Sequence, residues 1–165
     1  MCGMCDGSTR AAELRKMRDL VDRYGWALQF VDGDRVRSPW AYTVGLVRYG
    51  LPEFVVTGWE PERAGSLLND TAHGVACHDE RWEPGQQFRL ADDTRVEVVE
   101  LSRPDVHLTT AALLFPEERL RALQLVWSDG RRRWPWSARF NDRRGGQPVL
   151  GPRSARGTYR KPSRS

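Results

Sequence analysis

With 165 residues, 39% apolar and 29% charged, the chain is sized and balanced for one globular domain whose core needs no disulfides. That balance, with a modest net charge of +4, is that of a globular chain rather than a disordered or membrane one. No apolar run nears the ~20 residues of a membrane helix, and the opening MCGMCDGSTR has no apolar leader stretch; together with an odd count of three cysteines, this points to a reducing cytoplasm and no membrane partner.

Leu14, Met17, Val21 and Tyr24 recur at helical spacing, and Leu20 widens the stripe. The spacing predicts a helix over about residues 9–24, capped by Asp6, Ser8 or Thr9 and stopped at Gly25. Trp26, Leu28 and Phe30 then alternate along a strand ending at Asp32-Gly33-Asp34. Pro39 to Leu46 forms the next strand, with Trp40, Tyr42 and Val44 on one face. Gly45 within it signals a bulge, or a close approach by another backbone or a ligand. Tyr49-Gly50 turns the chain into a strand over residues 53–57, making a hairpin. Pro61 opens a helix carrying Ala64, Leu67 and Leu68, whose end falls between Asn69 and Cys77.

Residues 88–90 and 94–101 flank Ala91-Asp92-Asp93 as a second hairpin. The stretch from Val106 to Phe115 is apolar enough for a strand or a short helix, and its period does not choose. Residues 122–127 form a strand ending at Ser128-Asp129-Gly130, and beyond Trp136 no regular element is expected. The fold class is therefore α+β: two helices and one mostly antiparallel sheet, open or curled toward a barrel. Charge is divided unevenly. Residues 129–165 hold 11 basic against 2 acidic groups, +9, which leaves −5 for residues 1–128. Such a segment attracts phosphates or other anions, or is simply a solvated tail. Only two of the 26 basic residues are lysine, so arginine abundance alone does not signal phosphate binding. A domain over residues 1–151 and a disordered basic tail over 152–165 are expected, with nucleic acid at most a non-specific partner of the tail.

Several strings carry a likeness: MCxMCDG, YGWA, PWAYTVGL, GLPEFVVTG, LLND, RALQLVW, WPW and GGQPVLGPR. In this order, from Cys2 to Arg153, they resemble an uncharacterised, largely actinobacterial family known as domain of unknown function number 4262. The resemblance implies kinship and no particular activity. It implies that Cys2, Cys5, Trp40, Tyr42, Gly45, Pro52, Glu53, Gln124, Trp134, Trp136, Gln147 and Pro148 are motif positions. Phe115-Pro116 stands where relatives often have Tyr-Gly, so that turn is expected to differ.

Cys2 and Cys5 form a CxxC pair, able to share a metal or close a redox ring. His73 and Cys77, one helical turn apart, are the candidates to complete a four-ligand zinc site; a reduced, frayed N-terminus is the alternative. The second constellation is aromatic. Seven Trp in one short chain are many, and those within strands (Trp26, Trp40, Trp127) read first as packing. Trp134-Pro135-Trp136 instead follows the basic run Arg131 to Arg133 and reads as groove lining. Indole and guanidinium together suit a flavin or a nucleotide. The expected pocket is walled by Trp40, Tyr42, Gly45, Arg131, Arg133, Trp134 and Trp136.

Glu53, Gln124 and Gln147 sit beside apolar strings and satisfy buried backbone groups, or, for Glu53, supply a general base. His107 is the other titratable candidate, as a hydrogen-bonded core residue or a catalyst. No GxGxxG after a strand, GxxxxGK(S/T), HExxH or GxSxG occurs, so dinucleotide, nucleotide-triphosphate, zincin and α/β-hydrolase chemistries are unsupported. The expected function is binding of a small planar anion. The alternatives are a protein-interaction or immunity-type regulatory module, using the basic aromatic C-terminal quarter, and a metal or thiol switch at Cys2 and Cys5.

Overall fold

A computed structural model describes residues 5–155 and the pair 158–159. Helix α1 (Cys5–Tyr24) begins about one turn before the apolar stripe predicts. It ends at Gly25, whose φ of 92° lets its amide reach the Val21 carbonyl at 2.8 Å. Strands β1 (Ala27–Val31), β2 (Trp40–Val44) and β3 (Glu53–Thr57) follow as an antiparallel meander, with a one-turn 3-10 helix, Leu46–Tyr49, between the last two. Helix α2 (Pro61–Cys77) has its proline in the first turn, where no amide is missed. Strands β4 (Gln86–Arg89) and β5 (Arg95–Glu100) form the second hairpin.

The undecided apolar stretch is two short helices, α3 (Pro104–His107) and α4 (Thr109–Leu114). Pro104 at the first helical position presets the backbone angle, which tips the balance. Strand β6 (Ala122–Trp127) then inserts between the hairpins, parallel to β3 and antiparallel to β5. The order is β1-β2-β3-β6-β5-β4, with a two-residue β7 (Thr158–Tyr159) parallel beside β4. The class is α+β as expected. The sheet is mixed and open rather than closed into a barrel. Among the described residues no helix is long and apolar enough to cross a membrane.

Strand alternation divides the side chains between two cores. Ala41, Phe54, Val56, Leu123 and Leu125 face α2. Tyr42, Val44 and Val55 face the opposite way, toward Val21 of α1 and Ala111 and Leu114 of α4. Each fully buried leucine or phenylalanine, such as Leu68 and Phe54, contributes roughly 2 kcal/mol of transfer free energy.

Gly45 ends β2 with φ at 116°, and a Cβ there would stand 2.6 Å from a Val21 methyl. The close approach foreseen for this glycine is therefore made by α1. Gly45→Ala is expected to cost roughly 3 kcal/mol or more. Urea unfolding measures this, and an unchanged midpoint contradicts the packing.

A strap over residues 147–153 crosses the α1 side of the sheet. The Gln147 amide pairs with Trp127 as a neighbouring strand would, accepting its N–H at 2.9 Å and donating to its C=O at 2.8 Å. Gln124 donates to the Pro148 carbonyl and accepts the Leu150 amide, both at 2.7 Å. Two amides embedded in apolar strings thus satisfy backbone groups on a crossing segment that has no strand partner of its own. Of the basic segment expected to be a tail, residues 152–155 continue the strap and Arg153 reaches Glu97 at 2.9 Å. Apart from β7, the rest lies outside the described residues.

Candidate functional site

An apolar cleft with converging polar groups forms where the β1–β2 loop, α3 and the strap meet. The loop is shaped by Asp34, whose Oδ1 accepts the amides of Val36 at 2.7 Å and Arg37 at 2.8 Å. Those amides hold the Asp34 carboxyl below its ordinary value. Gly33 allows the tight return, since a Cβ there would stand 2.7 Å from the Arg37 carbonyl. The loop therefore projects Val36, 92% exposed, and places Arg37 and Ser38 along one lip.

The opposite lip is α3, with Val106 at 52% exposure and His107 lining the cleft. Trp40 forms the floor and is fixed by its Nε1 donating to the His107 carbonyl at 3.3 Å. Thr57, Pro148 and Leu150 close the back, and Thr57 Oγ1 donates to the Pro148 carbonyl at 2.7 Å. The open cleft has a volume of about 440 Å³, room for one ring system and a substituent. An indole floor, aliphatic walls, one guanidinium and one imidazole can hold a flat ring and neutralise an acidic group on it.

Only Trp40 and His107 of the sequence-derived candidates line this cleft, so the pocket differs from the one expected. Tyr42 shares Trp40's face of β2 but lies further along the strand, beneath α4, where its hydroxyl accepts the Thr110 amide at 3.2 Å. Gly45 is packed under α1. Arg131 and Arg133 are drawn to Asp142, and Arg133 also to Asp129. Trp134 and Trp136 stack on each other, centroids 5.2 Å apart, and the Arg153 guanidinium lies 4.1 Å from the Trp136 ring. The segment that folds across the sheet is the strap, not the Trp134–Trp136 loop.

Glu53 is fully buried and remote from the cleft. Its carboxyl accepts the Thr43 hydroxyl at 2.6 Å and the amides of Gly45 at 2.7 Å and Val47 at 3.2 Å. Burial raises its pKa to about 7, against the opposing pull of those donors. It holds the turn between β2 and β3, and although Val47 and Pro52 beside it line a cleft, Glu53 itself lines none of the clefts among the described residues.

Among the described residues the proposed zinc ligands are not brought together. His73 and Cys77 do lie a turn apart on α2, and the His73 and His78 rings are 4.9 Å apart. Cys77 shares a cleft with Tyr24, at the C-terminal end of α1, whereas Cys5 begins that 20-residue helix. A helix of that length holds its ends about 28 Å apart, too far for a common metal. Cys2 lies outside the described residues. Among the described residues no three His, Cys, Asp or Glu side chains are grouped to hold a metal.

Sequence reasoning missed Val36, Arg37, Thr57 and Leu150. The signal for the strap was present in GGQPVLG, which the resemblance marked without a place in the fold. No curated protein and no solved structure matches this chain. Residues 20–141, which span β1 to β6 and both lips of the Trp40 cleft, match a family described as Domain of unknown function (DUF4262), and the chain belongs to that family.

Proposed function

We propose that this protein binds a small planar anion, of the flavin or nucleotide kind, in the Trp40 cleft. The observation that carries the reading is the Trp40 floor between aliphatic walls, with Arg37 and His107 as the cationic and imidazole groups of the lining. Stacking on an aromatic floor contributes ~1–3 kcal/mol, and an anionic group beside Arg37 adds a charge-assisted contact. A thermal-shift and fluorescence series with flavin mononucleotide and nucleoside monophosphates tests it. Trp40→Ala is expected to weaken binding about tenfold or more. Trp134→Ala, outside the cleft, should leave it unchanged. Failure of every such compound to raise the melting temperature at millimolar concentration overturns the reading, as does equal affinity in the Trp40→Ala variant.

A protein partner is the second reading, favoured by the exposure of Val36 and Val106 on facing lips. A partner segment seated between them would bury both. Pull-downs with Val36→Asp separate the cases, because a partner is lost while a small ring on Trp40 is retained.

A further inference from the structure

Between β6 and the strap, residues 129–146 form a basic loop organised by one carboxylate. Asp129 Oδ1 accepts the amides of Arg131 and Arg133, both at 2.9 Å. Its Oδ2 accepts Arg133 Nε and the Asn141 amide, both at 2.8 Å. Asp129 is 9% exposed, so these bonds fix the base of the loop with little competition from water.

From that base Asn141, Asp142 and Arg143 run in succession at φ of 50°, 53° and 69°. Three consecutive left-handed residues that are not glycine form an unfavourable backbone, one that persists only where its surroundings impose it. The turn sets the Asp142 carboxylate among arginines. Asp142 Oδ1 takes Arg133 Nη2 at 2.9 Å and Arg131 Nη1 at 3.4 Å. Arg144 adds its charge from the flank. The loop holds six arginines against Asp129 and Asp142, and Asp93 from the β4–β5 turn, itself shared with Arg89, pairs with Arg132.

The arrangement is lopsided. Two guanidiniums share a single carboxylate oxygen, and the Arg144 side chain makes no hydrogen bond among the described residues. A tetrahedral dianion would offer each guanidinium its own oxygen and twice the charge. We propose that Arg131, Arg133 and Arg144 form a site for a phosphomonoester, occupied in the resting fold by the chain's own Asp142 carboxylate. The site is separate from the Trp40 cleft and does not depend on its reading. A free small-molecule monoester and a phosphorylated side chain of a partner share the recognised chemistry.

Asp142→Asn tests this, because asparagine tolerates the left-handed conformation while removing the competing charge. Titrations of phenyl phosphate, followed by calorimetry and by phosphorus resonance shift, are expected to show at least tenfold tighter binding in Asp142→Asn than in the wild type. Adding Arg131→Ala or Arg144→Ala to that variant should reverse the gain, and neither side chain carries the fold. A phosphoserine peptide of otherwise neutral residues distinguishes the sources. Tighter peptide binding assigns a partner segment, and equal binding a free monoester; both uphold the site. The absence of saturable binding by folded Asp142→Asn at millimolar phenyl phosphate overturns it. So does an oligonucleotide that binds as well with the same arginine dependence, since each phosphodiester carries a single charge.

Discussion

Stability curves of the wild type and the Glu53→Gln variant are expected to cross between about pH 5 and about pH 8. The Glu53 carboxyl is completely enclosed, and its pKa stands at about 7 against an ordinary 4.5. Below the ordinary value the carboxyl is protonated in both folded and unfolded chains. Between the two values the folded chain keeps the proton and the unfolded chain does not, so stability falls as pH rises. Above about 7 both forms are ionised and the slope ends. The loss across that window is about 3 kcal/mol. Glutamine mimics the protonated acid: its oxygen accepts the Gly45 and Val47 amides and its nitrogen donates to Thr43. Its stability relative to the wild type should therefore improve steadily with pH across that window. Glu53→Ala offers no such substitute. It leaves the Gly45 and Val47 amides and the Thr43 O–H without an acceptor in the core and is expected to cost about 3–5 kcal/mol at any pH. Urea midpoints at four pH values read both effects, and parallel curves for the wild type and Glu53→Gln would show that Glu53 does not titrate in this window.

Elements with a local cause were legible. Alternation in Trp40–Val44 and in Arg95–Glu100 follows from successive side chains turning to opposite faces of the sheet, and the turns at Tyr49-Gly50 and Ala91-Asp92-Asp93 close their hairpins locally. The apolar stripe of α1 and the Pro61 start of α2 likewise need only their neighbours. The parallel pairing of Glu53–Val55 with Ala122–Gln124 does not, because it joins segments nearly seventy residues apart. The cleft fails for the same reason. Its walls come from residues 36–38, 106–107 and 148–150, and nothing in any one of them announces the other two. The Trp134–Trp136 segment was misplaced by a different effect. Its indoles satisfy each other and Arg153, so an aromatic pair in an irregular segment read as groove lining where the structure uses it as packing around an ion pair.

That ion pair is the second place where a single change is expected to be costly. Glu97 is fully buried in β5, with the strap's Arg153 donating to its two oxygens at 2.9 and 3.1 Å and Gln87 at 2.7 Å. Arg153→Met keeps the aliphatic stem over Trp136 and removes the one cation bonded to Glu97 among the described residues. A carboxylate left alone in such surroundings is destabilising by several kcal/mol. Arg153 keeps 46% of its side-chain surface in water, so solvent replaces part of its charge and the expected loss is about 2 kcal/mol. Glu97→Gln should cost less, since a neutral amide needs no counter-ion. The double variant should be more stable than the two separate losses predict, by about 1–2 kcal/mol. Because Pro148 and Leu150 form the back of the cleft and Arg153 anchors the same strap, the Arg153→Met protein should also bind any Trp40 ligand more weakly, whereas Asp142→Asn should not. Additive losses in the cycle would mean that the pair is not coupled. Unchanged ligand affinity in Arg153→Met would mean that the buried amides of Gln124 and Gln147 hold the strap without it.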